Sequence, residues 1–186
     1  MTCIVAIAEE GTVFMGGDRL LTYGNTGLRL RDGSPKVAIL KAAGEAEYLV
    51  GVAGDGRVGD VVLRATFGPV NPDPETTIRE EFIPAVRAAL SVNGALMRFE
   101  DGQDRGASTL VGHRGRLFIV SDNFGVEVVT DGCAAIGSAR QIALGSLAST
   151  AGDPEQRILM ALKAAEKYHV DVMGPFDILK LGPARR

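Results

Sequence analysis

Cysteine and histidine are almost missing from this 186-residue chain, which has two of each: Cys3, Cys133, His113 and His169. Two cysteines cannot build a disulfide framework, and these four residues show no metal-ligand spacing. Reduced thiols, no structural zinc and no cofactor are therefore expected. Charge of one sign is scarce too. Lys and Arg number 20 against 23 Asp and Glu, a formal net charge of -3. With the basic residues scattered among acids, the chain lacks the positive footprint that nucleic acid or an anionic membrane would require, so neither partner is expected. Long hydrophobic runs are also absent. The opening apolar run, 3–8, ends at Glu9-Glu10 and shows neither a basic leader nor an h-region, from which a cytoplasmic chain is expected. Nor is there a P-loop, a G-x-S-x-G elbow or an H-E-x-x-H helix, which removes support for phosphoryl transfer, serine hydrolysis and zinc proteolysis.

What is present is a composition that is 46% hydrophobic. At this length it can bury a substantial core, and one domain over 1–186 is expected. Period-two patterning and turn residues predict strands at 3–8 and 12–15, joined through Glu10-Gly11, and again at 36–40 and 48–53. Between them, 19–35 reads as a long loop with a short strand around 28–30. Val58, Val61, Val62 and Ala65 fall at helical spacing, and 76–92 places Ile78, Phe82, Ile83, Val86, Ala89 and Leu90 on one helical face. Strands return at 108–112, 116–121, 126–129 and 134–136. Two more helices follow, one through Leu147 with Ser138 as its cap and one started by Asp153-Pro154-Glu155, before a last strand at 177–181. Sheets and helix pairs each need one face covered. Two packed sheets with helices outside, a four-layer αββα sandwich of the α+β class, satisfy all of them.

One motif suggests different chemistry. Gly54-Asp55-Gly56-Arg57-Val58-Gly59 fits G-x-G-x-x-G between a strand and a helix. A dinucleotide-binding unit needs alternating βαβ, whereas at least four strands precede this helix. About twenty residues later, where an acid should end a strand, the chain has the turn Pro72-Asp73-Pro74-Glu75. Dinucleotide binding is set aside.

The start of the chain carries the alternative. If Met1 is removed, Thr2 presents a hydroxyl and a free α-amine on one residue, tethered to a buried strand. With an intrinsic pKa of about 8, that amine can accept the hydroxyl proton directly or through water. An internal threonine has no such base.

Thr2, Gly16-Gly17-Asp18, Gly24-Asn25-Thr26, Lys36-Val37, Val52-Ala53-Gly54 and Ile136-Gly137-Ser138, in that order, resemble the HslV peptidase and, more distantly, proteasome β subunits. The resemblance covers most of the chain and is densest over the first third. It implies the N-terminal nucleophile hydrolase sandwich, with Thr2 as nucleophile, Lys36 lowering the cost of the alkoxide, and Asp18 keeping Lys36 charged and oriented. It also implies Gly54 as the backbone donor to the oxyanion and Ser138 as a relay that orients the amine. Polypeptide substrates, a homo-oligomeric ring and an ATP-dependent unfoldase as partner are implied with it. Arg19, beside Asp18, is expected to be solvated. The chain departs from the family pattern in two places. Around Arg31 to Pro35 it has two extra residues, and where proteasome subunits carry a supporting aspartate late in the last long helix it has Tyr168-His169, with Glu166 and Asp171 the nearest acids; that role is left unassigned. A catalytically silent shell protein and a non-proteolytic amidohydrolase on the same fold are the alternatives.

Overall fold

Six strands come before the first helix in the computed structural model, which describes residues 2–23, 28–30, 34–42, 45–99 and 102–183. They are β1 (Cys3–Glu9), β2 (Thr12–Asp18), β3 (Leu21–Tyr23), β4 (Leu28–Leu30), β5 (Val37–Ala42) and β6 (Glu45–Ala53). β1 and β2 form the expected hairpin, with Glu10 and Gly11 both at positive φ, the conformation a two-residue turn between twisted strands requires. The later strands are β7 (Met97–Arg98), β8 (Asp104–Arg105), β9 (Ser108–His113), β10 (Arg116–Val120), β11 (Val126–Val129), β12 (Cys133–Gly137) and β13 (Phe176–Leu181). The short β7 and β8 strands, which pair with each other, lie where the sequence pattern announces no strand.

Two main sheets result, a four-stranded one in the order β12-β1-β2-β13 and a five-stranded one in the order β11-β10-β9-β6-β5. Every pairing within them is antiparallel. Strand alternation sorts their side chains. From β1, Ile4 and Ala6 join Val37, Leu49 and Leu110 of the other sheet in one buried cluster, while Cys3, Val5 and Ile7 join Ala143, Leu147, Ile158 and Leu162 in another. A third cluster gathers Tyr48, Val50 and Val111 with Val58, Ile78, Phe82 and Leu90. Burying one such large aliphatic or aromatic side chain contributes about 1.5–3 kcal/mol against the cost of ordering the chain.

The helices are α1 (Gly56–Val62), α2 (Pro74–Thr76), a π-helical stretch (Thr77–Phe82), α3 (Ile83–Val92), α4 (Arg140–Ala148) and α5 (Pro154–Tyr168). The predicted helix over 76–92 is thus a composite. Its wide register ends where Ile83 N–H bonds Ile78 O, one residue before Pro84, which has no N–H to give and whose ring would press on an α-register carbonyl. Asp55 caps α1, accepting from Arg57 N at 2.8 Å and Val58 N at 3.2 Å, so the helix start in the G-x-G-x-x-G segment is filled by the chain's own carboxylate. Asp153 caps α5 as its sequence predicts, accepting from Gln156 N at 2.9 Å. Ser138 does not cap α4. That helix begins at Arg140 behind Ala139 with no side-chain cap, because Ser138 is turned toward Thr2.

Candidate active site

Thr2 stands at the head of β1 and is only 4% exposed. Its place is set by the two strands that flank β1. On one side, Cys3 pairs with Gly137 of β12. Gly137 has φ +96°, and a Cβ there would collide with the Thr2 carbonyl, so only glycine lets the two backbones approach this closely. Next to it, Ser138 Oγ donates to Thr2 O at 3.5 Å, a long contact.

On the other side, β2 ends in Asp18, whose side chain is fully buried. It accepts three hydrogen bonds. Cys3 N donates to Oδ1 at 2.9 Å, Leu20 N to Oδ2 at 3.0 Å, and Lys36 Nζ to Oδ2 at 2.8 Å. Two backbone donors and an ammonium satisfy a carboxylate that burial alone would make costly. The Lys36 side chain, 15% exposed, also donates to Leu20 O at 2.8 Å. One buried carboxylate therefore links the residue after Thr2 to the lysine that immediately precedes β5 of the other sheet.

The same charges act on Cys3. Its thiol is pushed up to about 12, by burial first and then by the Asp18 charge, with Lys36 opposing. It stays protonated and is a poor nucleophile.

Gly54 follows directly on β6, at φ +148°, where a Cβ would come within 3.1 Å of Ala107 Cβ. Val52 N donates to Lys36 O at 2.9 Å, which registers this end of β6 against Lys36. Ser138 is thus bonded to Thr2 and Asp18 to Lys36, the two pairs meeting through the peptide bond from Thr2 to Cys3, whose N–H Asp18 accepts, and Gly54 lies two residues beyond the strand position bonded to Lys36. Met1, Gly24-Asn25-Thr26 and Arg31 lie outside the described residues.

Sequence reasoning missed Asp177. Arg19 is not a freely solvated arginine, since its Nε and Nη2 donate to the Asp177 carboxylate at 2.7 Å and 2.6 Å. No local signal could reveal this pairing, because the partners are 158 positions apart. Of the acids late in α5 and after it, Glu166 accepts from Gly174 N at 2.9 Å, while Asp171 N donates to His169 Nδ1 at 3.2 Å. Among the described residues no group of three or more His, Cys, Asp and Glu could hold a metal, and no helix is long and apolar enough to cross a membrane.

No model of a known protein family matches the chain, and no curated protein matches it in sequence. Its structure, however, is similar to solved ones. BPH from Thiobacillus denitrificans superposes with a TM-score of 0.77 at 17% identity, covering 100% of both chains. HslV from Trypanosoma brucei gives 0.68 at 19% identity over 97% of this chain and 99% of that one. A Gly-1 mutant of Anbu from a Hyphomicrobium strain gives 0.69 at 17% identity over 96% and 80%. The chain has an HslV/proteasome β-subunit-like fold.

Proposed function

We propose that this protein is an N-terminal threonine peptidase of the HslV/proteasome-like type, on a four-layer αββα sandwich, active once Met1 is removed. Thr2 Oγ attacks the carbonyl carbon of a peptide bond while its proton passes to the Thr2 α-amine. The tetrahedral oxyanion is met by the Gly54 N–H, and collapse expels the peptide amine, which takes up that proton. Water then attacks the resulting ester, and the Thr2 hydroxyl is restored. Lys36 favours the anionic forms along this path, Asp18 holds Lys36 in place, and Ser138 orients the amine.

The observation that carries this reading is the Asp18 carboxylate, which holds the Cys3 N–H and the Lys36 ammonium at once, immediately beside Thr2. A structural ion pair could sit anywhere in the core. Here it bonds the backbone of the residue that follows the one threonine able to carry its own base. A homo-oligomeric ring in the cytoplasm, taking polypeptides from an ATP-dependent unfoldase, completes the proposal. It is tested by incubating purified protein with unfolded polypeptides and short peptide amides. Wild type should cleave and Thr2→Ala should not, with oligomeric size unchanged. Equal cleavage by both would remove Thr2 from the chemistry.

A further inference from the structure

Arg19 and Asp177 form a two-pronged ion pair, with both contacts at or below 2.7 Å and side chains 34% and 20% exposed. An exposed single-contact bridge is worth little, whereas a fork of this kind fixes orientation as well as distance. Its position gives that rigidity a use. In the β2–β13 pairing, Phe176 lies opposite Asp18 and Asp177 opposite Gly17. Residues 18–20 then turn away from the sheet and hold the Lys36 ammonium from two directions, through the Asp18 carboxylate and the Leu20 carbonyl, each at 2.8 Å. Arg19 is the residue between those two grips.

We propose that Asp177 and Arg19 are positioning residues, a clamp from the C-terminal strand that fixes the 18–20 turn and thereby the Lys36 ammonium, which shares the Asp18 carboxylate with the Cys3 N–H. In this role both act through Lys36 and not on the substrate. The catalytic consequence of the clamp rests on the peptidase reading; its effect on Lys36 does not.

The test reads Lys36 directly. Wild type, Asp177→Asn, Asp177→Glu and Arg19→Lys are given a limiting dose of acetic anhydride, and acetylation of Lys36 is measured by peptide mass spectrometry relative to exposed Lys163. Peptide hydrolysis is measured in parallel. In Asp177→Asn, relative labelling of Lys36 should rise about fivefold and kcat should fall about tenfold with KM within about twofold, the pattern of a displaced group and not of lost substrate binding. Asp177→Glu, which keeps the carboxylate, should stay nearer to wild type, and Arg19→Lys, which keeps the charge but loses the fork, should resemble Asp177→Asn. Unchanged Lys36 labelling in folded Asp177→Asn overturns the clamp, whatever happens to kcat. If that variant does not fold, unchanged labelling in folded Arg19→Lys overturns it equally. If wild type cleaves nothing yet labelling rises in the variant, the clamp stands and the peptidase reading falls.

Discussion

Asp18 and Lys36, 18 positions apart, meet at 2.8 Å with the carboxylate fully buried, and the other carboxylate oxygen holds the Cys3 N–H. Removing the acid would take a buried partner from two backbone N–H groups and from the Lys36 ammonium, which would keep its bond to Leu20 O. Asp18→Ala should therefore destabilise the protein by about 3–5 kcal/mol in chemical denaturation. A loss below about 1 kcal/mol would show that the pair is replaceable by solvent.

Gly137→Ala introduces a Cβ that collides with the Thr2 carbonyl, at a φ of +96° that an L side chain rarely adopts. A cost of about 1–3 kcal/mol is expected. Because the displacement falls on Thr2 itself, peptide hydrolysis should drop far more than the folded fraction does. Activity in proportion to folded protein would argue that the Thr2 backbone tolerates movement.

The Tyr48 hydroxyl is buried without a hydrogen-bond partner among the described residues, on a ring packed between Phe67, Phe82 and His113. Burial raises its pKa further above the ordinary tyrosine range, with the charge of Glu47 adding to the effect. Tyr48→Phe removes an unsatisfied group and should be neutral or stabilising by about 1 kcal/mol. A loss of that size in a urea titration would mean that the hydroxyl is bonded in solution.

His113 is fully buried, with Nδ1 2.9 Å from Glu47 O. Burial holds its pKa below 6.5, and nearby Arg114 adds to this, while the Glu47 carbonyl and carboxylate oppose. The unfolded chain therefore binds the proton more readily than the native one. This contribution to stability is present above about pH 6.5 and is lost as pH falls below it. Denaturation midpoints at about pH 7.5 and about pH 5.5 should show the fall, and His113→Gln should flatten it. An identical slope in the variant would assign the acid sensitivity to other groups.

The legible part of this site is the part that the family resemblance marks: Thr2, Asp18 and Lys36. The structure pairs Asp18 with Lys36 and with the N–H that follows Thr2, although Gly16-Gly17-Asp18, which reads as a turn closing a strand at 12–15, continues β2 to Asp18 because β13 pairs along it. Their partners across the sheets were harder to see. Asp177 reads only as the start of a last strand until β13 registers against β2 and brings it to Arg19. Ser138 looks like a helix cap because its sequence position allows one; the close backbone approach of Gly137 to Thr2 turns it to other use. The π-helical stretch 77–82 has the same apolar stripe as an ordinary helix, and periodicity could not separate the two.

The most direct measurement is the mass spectrum of the N-terminal peptide after the natively expressed protein has reacted with a peptide carrying an electrophile. If Thr2 is the nucleophile, that peptide begins at Thr2 and bears the adduct. A peptide that still begins at Met1, or an adduct found on another residue, would contradict it.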